Sequence, residues 1–165
     1  MKSKSANGVA QAPDCSGKRF AIVAARFYRE LTDWLIEGAQ RALKDCNVAS
    51  GDVAVYEVPG CFELPLACRK LIDEENVDAV VALGVVIRGE TPHFDFVAGE
   101  CARGIMDIQL STGVPIGFGV LTTENMAQAE ERADPEQGDK GYEAAIAAAT
   151  LLHVPRGAVR AGFRG

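Results

Sequence analysis

Asp78-Ala-Val-Val-Ala-Leu-Gly-Val-Val-Ile-Arg-Gly-Glu-Thr-Pro-His93 decides how this chain folds. Its opening run, Asp78 to Leu83, has the length and apolar content of a buried strand, which is expected to end near Val86. Two glycines, Gly84 and Gly89, then carry the chain onto a helix start at Thr91-Pro92. Main-chain N–H groups at a helix start lack intrahelical partners and the helix dipole favours negative charge, so this junction is a ready anion site. His93 stands on the first turn, at the rim of that site, and is one of only 2 histidines in the protein. An imidazole that titrates near neutrality beside a phosphate-sized hole points to proton transfer on a small phosphorylated substrate.

On either side of this stretch, strand and helix patterns alternate. Arg19 to Ala25 reads as a first strand, followed by a helix with Leu31, Trp34, Leu35, Gly38, Ala39, Ala42 and Leu43 in an i, i+3, i+4 stripe. Asp52 to Val58 is a second strand, stopped by Pro59-Gly60, and a helix starts near Pro65 and runs to about Asn76. The helix opened by Thr91, a sound N-cap, is expected to reach about Leu110. Val114 to Val120 is a fourth strand, and helices over Glu124 to Ala133 and Gly141 to Leu152 complete the pattern. Alternation of this kind predicts a three-layer α/β/α sandwich around a four-stranded parallel sheet.

The 165 residues, 48% of them hydrophobic, suffice for one domain with a real core and not for two. Residues 1–17 are polar and read as a loose arm, 18–154 as the folded domain and 155–165 as a tail carrying Arg156, Arg160 and Arg164. No apolar run reaches the ~18 residues of a membrane span, and the arm lacks the apolar block of a signal peptide, so a cytoplasmic protein without membrane contact is expected. Five cysteines without CxxC spacing read as reduced thiols, with no metal site implied. A net charge of −6 argues against nucleic acid as a partner, so any anionic substrate needs a local basic cluster.

Ligands of open α/β sheets bind outside the carboxyl ends of the strands. Those ends carry Arg26-Phe27, Gly60-Cys61-Phe62-Glu63, Ile87-Arg88-Gly89 with Thr91 and His93, and Phe118-Gly119. An aromatic ring and a carboxylate at one edge suit a flat heterocycle with a hydroxylated tail: Phe27 to stack on the ring, Glu63 to accept hydrogen bonds from hydroxyls. The backbone around Glu90 and Thr91, with a guanidinium, suits a phosphate. No serine or cysteine has a second histidine placed to activate it, so the nucleophile is expected to belong to the substrate. Blander readings stand beside these. A helix-start histidine is often only a hydrogen bonder, Glu63 can simply favour a helix N-terminus, and Phe62 alone reads as core. Arg132 and Lys140 alone read as solvated charges, and His153 as a helix-end residue without a role.

Phe27, the run Val58-Pro-Gly-Cys-Phe-Glu-Leu-Pro65, Gly84 to His93, Phe118 to Glu124, Glu131-Arg-Ala133 and Lys140 to Ala145 together resemble the 6,7-dimethyl-8-ribityllumazine synthase family. The resemblance runs in order from about Arg19 to Leu152. It implies a flavodoxin-like fold and condensation of 5-amino-6-(D-ribitylamino)uracil with 3,4-dihydroxy-2-butanone 4-phosphate, in riboflavin synthesis, without metal or organic cofactor. It further implies that Phe27 stacks on the pyrimidine, and that the backbone of Cys61 and Phe62 with the Glu63 carboxylate holds the ribityl chain. Val86 and Ile87 would contact the ring edge, Glu90 and Thr91 with Arg132 would cradle phosphate, and His93 would move protons. Phe118, Arg132 and Lys140 would come from a neighbouring subunit, because the family builds its sites between subunits of a pentamer, in some members packed further into an icosahedral capsid. Riboflavin synthase is a further partner that the resemblance implies. The chain departs from the family pattern at Cys61 (usually Ala or Ser), at Tyr28 (usually Asn) and at Asp139 (usually Asn), the last expected to weaken the charge of Lys140. Two alternatives remain: a lumazine-dismutating riboflavin synthase of the archaeal type, and a flavin- or lumazine-binding shell protein without activity.

Overall fold

The computed structural model describes residues 11–154, arranged as four strands and five α-helices in alternation. The strands are β1 (Phe20–Ala25), β2 (Val53–Val58), β3 (Ala79–Ile87) and β4 (Ile116–Thr123). The helices are α1 (Arg29–Asp45), α2 (Leu64–Glu74), α3 (His93–Thr112), α4 (Met126–Ala133) and α5 (Lys140–Leu151). All strand pairs are parallel and the order is β2-β1-β3-β4, so the expected three-layer, flavodoxin-like arrangement is present.

The central strands β1 and β3 are buried almost end to end, because helices cover both faces. Side chains alternate between two cores. Phe20, Ile22, Val81 and Leu83 face α1, α4 and α5, while Ala21, Val23, Val80 and Ala82 face α2 and α3. The edge strands β2 and β4 are partly open to solvent, with Val55 and Phe118 among their exposed residues.

Several boundaries differ from expectation, each for a local reason. Residues Ser50–Asp52 form a 3-10 turn, so β2 begins at Val53. Strand β4 runs three residues past Val120, because pairing with β3 continues to Ile87↔Thr123. Helix α3 continues to Thr112 and stops at Gly113, whose φ of 70° closes the helix with a hydrogen bond from its N–H to Gln109 O. At its other end Thr91 is not the N-cap: Pro92 precedes the first helical residue, and Thr91 Oγ1 only accepts a long 3.4 Å hydrogen bond from His93 N. Helix α4 starts at Met126 because Asn125 Oδ1 accepts from Gln128 N while Gln128 Oε1 accepts from Glu124 N, each at 2.9 Å. Trp34 is exposed, about a quarter turn off the α1 stripe, and Thr32 is buried on that stripe's other flank.

Near the end of the expected N-terminal arm the chain touches the folded domain. Cys15 is buried, its N–H donates to Cys46 O at 2.7 Å, and its Sγ lies 3.7 Å from His153 Nε2. Residues 1–10 and the tail 155–165 lie outside the described residues.

Helices α1 and α5 approach so closely that a Cβ on Gly141 would lie 2.1 Å from Leu35 O. Main chain on both sides leaves no flexible group to give way. Gly141→Ala is therefore expected to cost about 2 kcal/mol of stability, the usual scale of overpacking, read from urea denaturation midpoints. A loss below about 0.5 kcal/mol, the level of a neutral surface change, would show that the two helices slide apart freely.

Candidate active site

Strands β1 and β3 are neighbours, yet α1 leaves β1 over one face and α3 leaves β3 over the other. The crevice between their carboxyl ends is the topological switch point of the sheet. A cavity of about 600 Å³ opens there, a size suited to a small molecule. Val85, Val86 and Ile87 of β3 line it together with Phe27, Tyr28, Phe62, Phe94 and Phe96 as aromatic residues, and Glu63, Thr91 and His93 as polar ones.

The backbone that presents Phe27 is held from both sides. Arg26 N donates to Val58 O at 2.9 Å, and the nearly buried Arg26 guanidinium donates to Thr32 Oγ1 at 3.1 Å and Asp33 Oδ1 at 2.7 Å. Its Nε also lies 3.3 Å from Glu57 Oε1, a charge contact without hydrogen-bond geometry. Tyr28 O accepts from Thr32 N and Thr32 Oγ1 at the start of α1. Phe27 itself is 76% exposed. A large ring held on pinned backbone and left in water is a platform for something flat.

Across the cavity, the chain after β2 makes a 3-10 turn at Cys61–Glu63 before α2. Phe62, which reads as core in isolation, is instead 64% exposed and lines the cavity, because the turn points it outward while Cys61 and Leu64 fill the space beneath. Cys61 fits because residue 84 is glycine: a Cβ there would lie 2.5 Å from Cys61 Sγ. Burial pushes the Cys61 thiol up to about 12, so it stays protonated and is no nucleophile.

The third wall is the turn into α3. No protein group accepts from the main-chain N–H of Gly89, Glu90 or Thr91 among the described residues. Three N–H groups in succession without a protein acceptor, followed by the N-terminus of a twenty-residue helix, are donors of the kind an anion accepts from. His93, Phe96 and Val97 share one face of that helix and all line the cavity. Phe94, Phe96 and Val97 were not singled out from sequence, although Phe96 and Val97, at i+3 and i+4 from His93, carry the signal of a shared helix face. Arg88 is occupied elsewhere: it pairs with Asp95 at 3.2 Å and Glu124 at 2.9 Å and lies 4.3 Å from the centre of the Phe94 ring. Its charge ties the α3 start to the end of β4.

Of the residues singled out from sequence, Phe27, Cys61, Phe62, Glu63, Val86, Ile87, Thr91 and His93 meet at this cavity. Glu90 is exposed on the same turn without lining it, and Phe118, Arg132 and Lys140 lie elsewhere on the chain. Phe118 projects from the edge strand β4, 44% exposed. Exposed Arg132 donates to Gln128 O at 3.1 Å on its own helix. Lys140 pairs with Glu143 at 2.7 Å, and the Asp139 carboxylate is taken up by Arg41, so Asp139 does not neutralise its neighbour. Among the described residues no cluster of three His, Cys, Asp or Glu side chains could hold a metal ion.

Residues 17–156 match the family model described as 6,7-dimethyl-8-ribityllumazine synthase. Three relatives named 6,7-dimethyl-8-ribityllumazine synthase cover nearly all of the chain. One from Sodalis glossinidius is 49% identical over 148 residues, 89% of this chain and 93% of the relative. One from Edwardsiella ictaluri is 48% identical over 152 residues, 92% and 96% respectively. One from Chlorobium phaeobacteroides is 44% identical over 140 residues, 85% and 90%.

Asp139, at the N-cap position just before α5, lies in the left-handed region, at φ 51°, with Oδ1 buried and unpartnered. Burial, partly offset by Arg41, raises its carboxyl above the ordinary 3.8. A raised carboxyl binds its proton more tightly when folded, so the contribution of Asp139 to stability is greatest in acid and falls as pH rises through the window above 3.8. Asp139→Asn keeps a residue that tolerates this conformation and removes the buried charge. It is expected to unfold at equal or higher urea concentration than wild type at pH 7, with the advantage shrinking towards pH 4. A variant weakened equally at both pH values would show that the pair with Arg41 outweighs burial.

Proposed function

The chain belongs to the 6,7-dimethyl-8-ribityllumazine synthase family, and from that premise we propose that it condenses 5-amino-6-(D-ribitylamino)uracil with 3,4-dihydroxy-2-butanone 4-phosphate to 6,7-dimethyl-8-ribityllumazine. The observation that carries the reading is the juxtaposition at one cavity of an exposed ring, Phe27, with the free N–H groups of Gly89 to Thr91 and with His93. A heterocycle and a phosphate need these two features at one place.

The pyrimidine stacks on Phe27, with the main chain of Val86 and Ile87 at its edge. Its ribityl hydroxyls meet Glu63 and the backbone of Cys61 and Phe62. The ketone's phosphate sits on the Glu90–Thr91 turn, where the α3 N-terminus supplies partial positive charge and Arg132 a full one. The 5-amino group attacks the ketone and water leaves to form an imine. Loss of phosphate then generates the electrophile on which the ring closes, with loss of a second water. Every step moves a proton at the amine, the hydroxyl-bearing carbon or a departing oxygen, and His93 stands where it can carry them. Holding two substrates in one orientation supplies much of the rate, and the route as written requires no metal or organic cofactor.

The assembly proposed is a homo-oligomer built on pentamers, whose neighbouring subunit contributes Phe118, Arg132 and Lys140. Its support is the exposure of Phe118 and Arg132 away from the cavity of their own chain, together with the apolar Phe96, Met106 and Leu110 left exposed on α3. Packing of pentamers into a capsid and contact with riboflavin synthase belong to the same proposal. The five free thiols suit a cytoplasmic setting. Among the described residues no helix is long and apolar enough to cross a membrane.

Purified protein mixed with both substrates is expected to form fluorescent lumazine faster than the uncatalysed background; absence of acceleration with verified substrates would overturn the reading. His93→Ala is expected to slow turnover by about 10²-fold, a general acid–base contribution, without abolishing it. Arg132→Ala should raise the KM for the ketone phosphate, and an unchanged KM would remove Arg132 from the phosphate site. Light scattering should report a multiple of five chains; a monomer that retains full activity would rule out shared sites.

A further inference from the structure

We infer that Tyr28 is a positioning residue that fixes the Phe27 ring in the orientation in which it receives the substrate's heterocycle. The inference rests on the proposed stacking role of Phe27 and adds a residue to it. Phe27 is the most exposed of the aromatic residues lining the cavity. Tyr28 lies against it edge to face, with ring centroids 5.0 Å apart and planes inclined by 75°. This geometry is the favourable one for two aromatic quadrupoles.

Tyr28 is itself well anchored. It packs on the core beneath α1 while its other surface lines the cavity. Its carbonyl receives two hydrogen bonds from Thr32, whose hydroxyl also receives one from Arg26. The tyrosine therefore joins a rigid turn to an otherwise unsupported phenyl. A free phenyl ring samples several χ1 wells, and only a ring already in the right one gives its full stacking energy without an ordering cost on binding.

The contact concerns one substrate only. Phosphate binding at Gly89 to Thr91 lies on the other side of the crevice, on a different strand and helix. Loss of the ring at position 28 should weaken binding of the heterocycle and leave the phosphorylated ketone alone, a split that general loosening of the fold would not produce.

The test is steady-state kinetics on wild type, Tyr28→Ala, Tyr28→Leu and Tyr28→Phe, varying each substrate with the other saturating. Tyr28→Leu keeps apolar bulk against the core and serves if the alanine variant folds poorly. Both non-aromatic variants are expected to raise the KM for the ribitylaminouracil about 3- to 10-fold, the fold-change of one aromatic pair, with the KM for the ketone phosphate within about 2-fold of wild type. Tyr28→Phe, which keeps the ring and loses the hydroxyl, should restore the wild-type KM. A parallel rise in both KM values, no rise in either, or no recovery with Tyr28→Phe would each overturn the inference while leaving an active wild type, and so the proposed function, intact. An inactive wild type would overturn that function and with it the role of Phe27 on which Tyr28 acts.

Discussion

Parallel pairing of β1 with β3, in register from Phe20↔Ala79 to Ala24↔Leu83, is the constraint on which the rest depends. A parallel pair cannot be closed by a short turn, so the chain must cross over a face of the sheet between strands. Both faces of both strands are thereby buried, which requires helices above and below and apolar residues without interruption along Phe20–Ala25 and Ala79–Val86. The order β2-β1-β3-β4 then sends the connections from β1 and β3 to opposite faces. Where they part, no helix covers the strand ends. The cavity is thus a consequence of topology, and the residues just past Ala25 and Ile87 are placed in it before any selection for chemistry acts.

That logic explains which features the sequence makes legible. Uninterrupted Val-Val-Ala-Leu runs and the stripe at Leu31, Leu35, Ala39 and Ala42 report burial directly, so strands, helices and layers could be read from them. The strand-to-helix turn with its free N–H groups was legible too, because glycines followed by Thr91-Pro92 mark it. Phe62 was not: a lone phenylalanine reads as core, and only the 3-10 turn that buries Cys61 and Leu64 turns it outward. The fate of Arg88 was equally hidden, since Asp95 and Glu124 come from two different elements and meet only in the fold. The same holds for Asp139, whose partner Arg41 is 98 residues away.

Two local solutions show how closely the packing is fitted. Cys61 is accommodated by the missing side chain at Gly84, so its thiol sits beneath the cavity wall without displacing it. Its thiol is held protonated by burial, pushed up to about 12, and adds no charge beside the carboxylate of Glu63. On the opposite face, Gly141 lets α5 lie against the main chain of α1 at Leu35, which brings Asp139 within reach of Arg41 and starts α5 at Lys140. Close contact between two helices thus determines where a lysine far from the cavity of its own chain is presented.

Charge completes the case for a shared site. A phosphate taken out of water needs compensation, and a helix N-terminus supplies only about half an elementary charge. The described cavity lining contains neither lysine nor arginine. Arg88, the nearest candidate in sequence, already faces two carboxylates and has no charge to spare. A phosphorylated substrate would therefore find in one chain the shape and the hydrogen-bond donors, but not the cation. On the proposed reading the deficit is met by Arg132 of a neighbour, a side chain exposed on α4 and bonded only to the carbonyl of its own Gln128 among the described residues. Activity would then be conditional on assembly for an electrostatic reason. The neighbour would supply the positive charge without which the free N–H groups of Gly89 to Thr91 would have to hold a dianion alone.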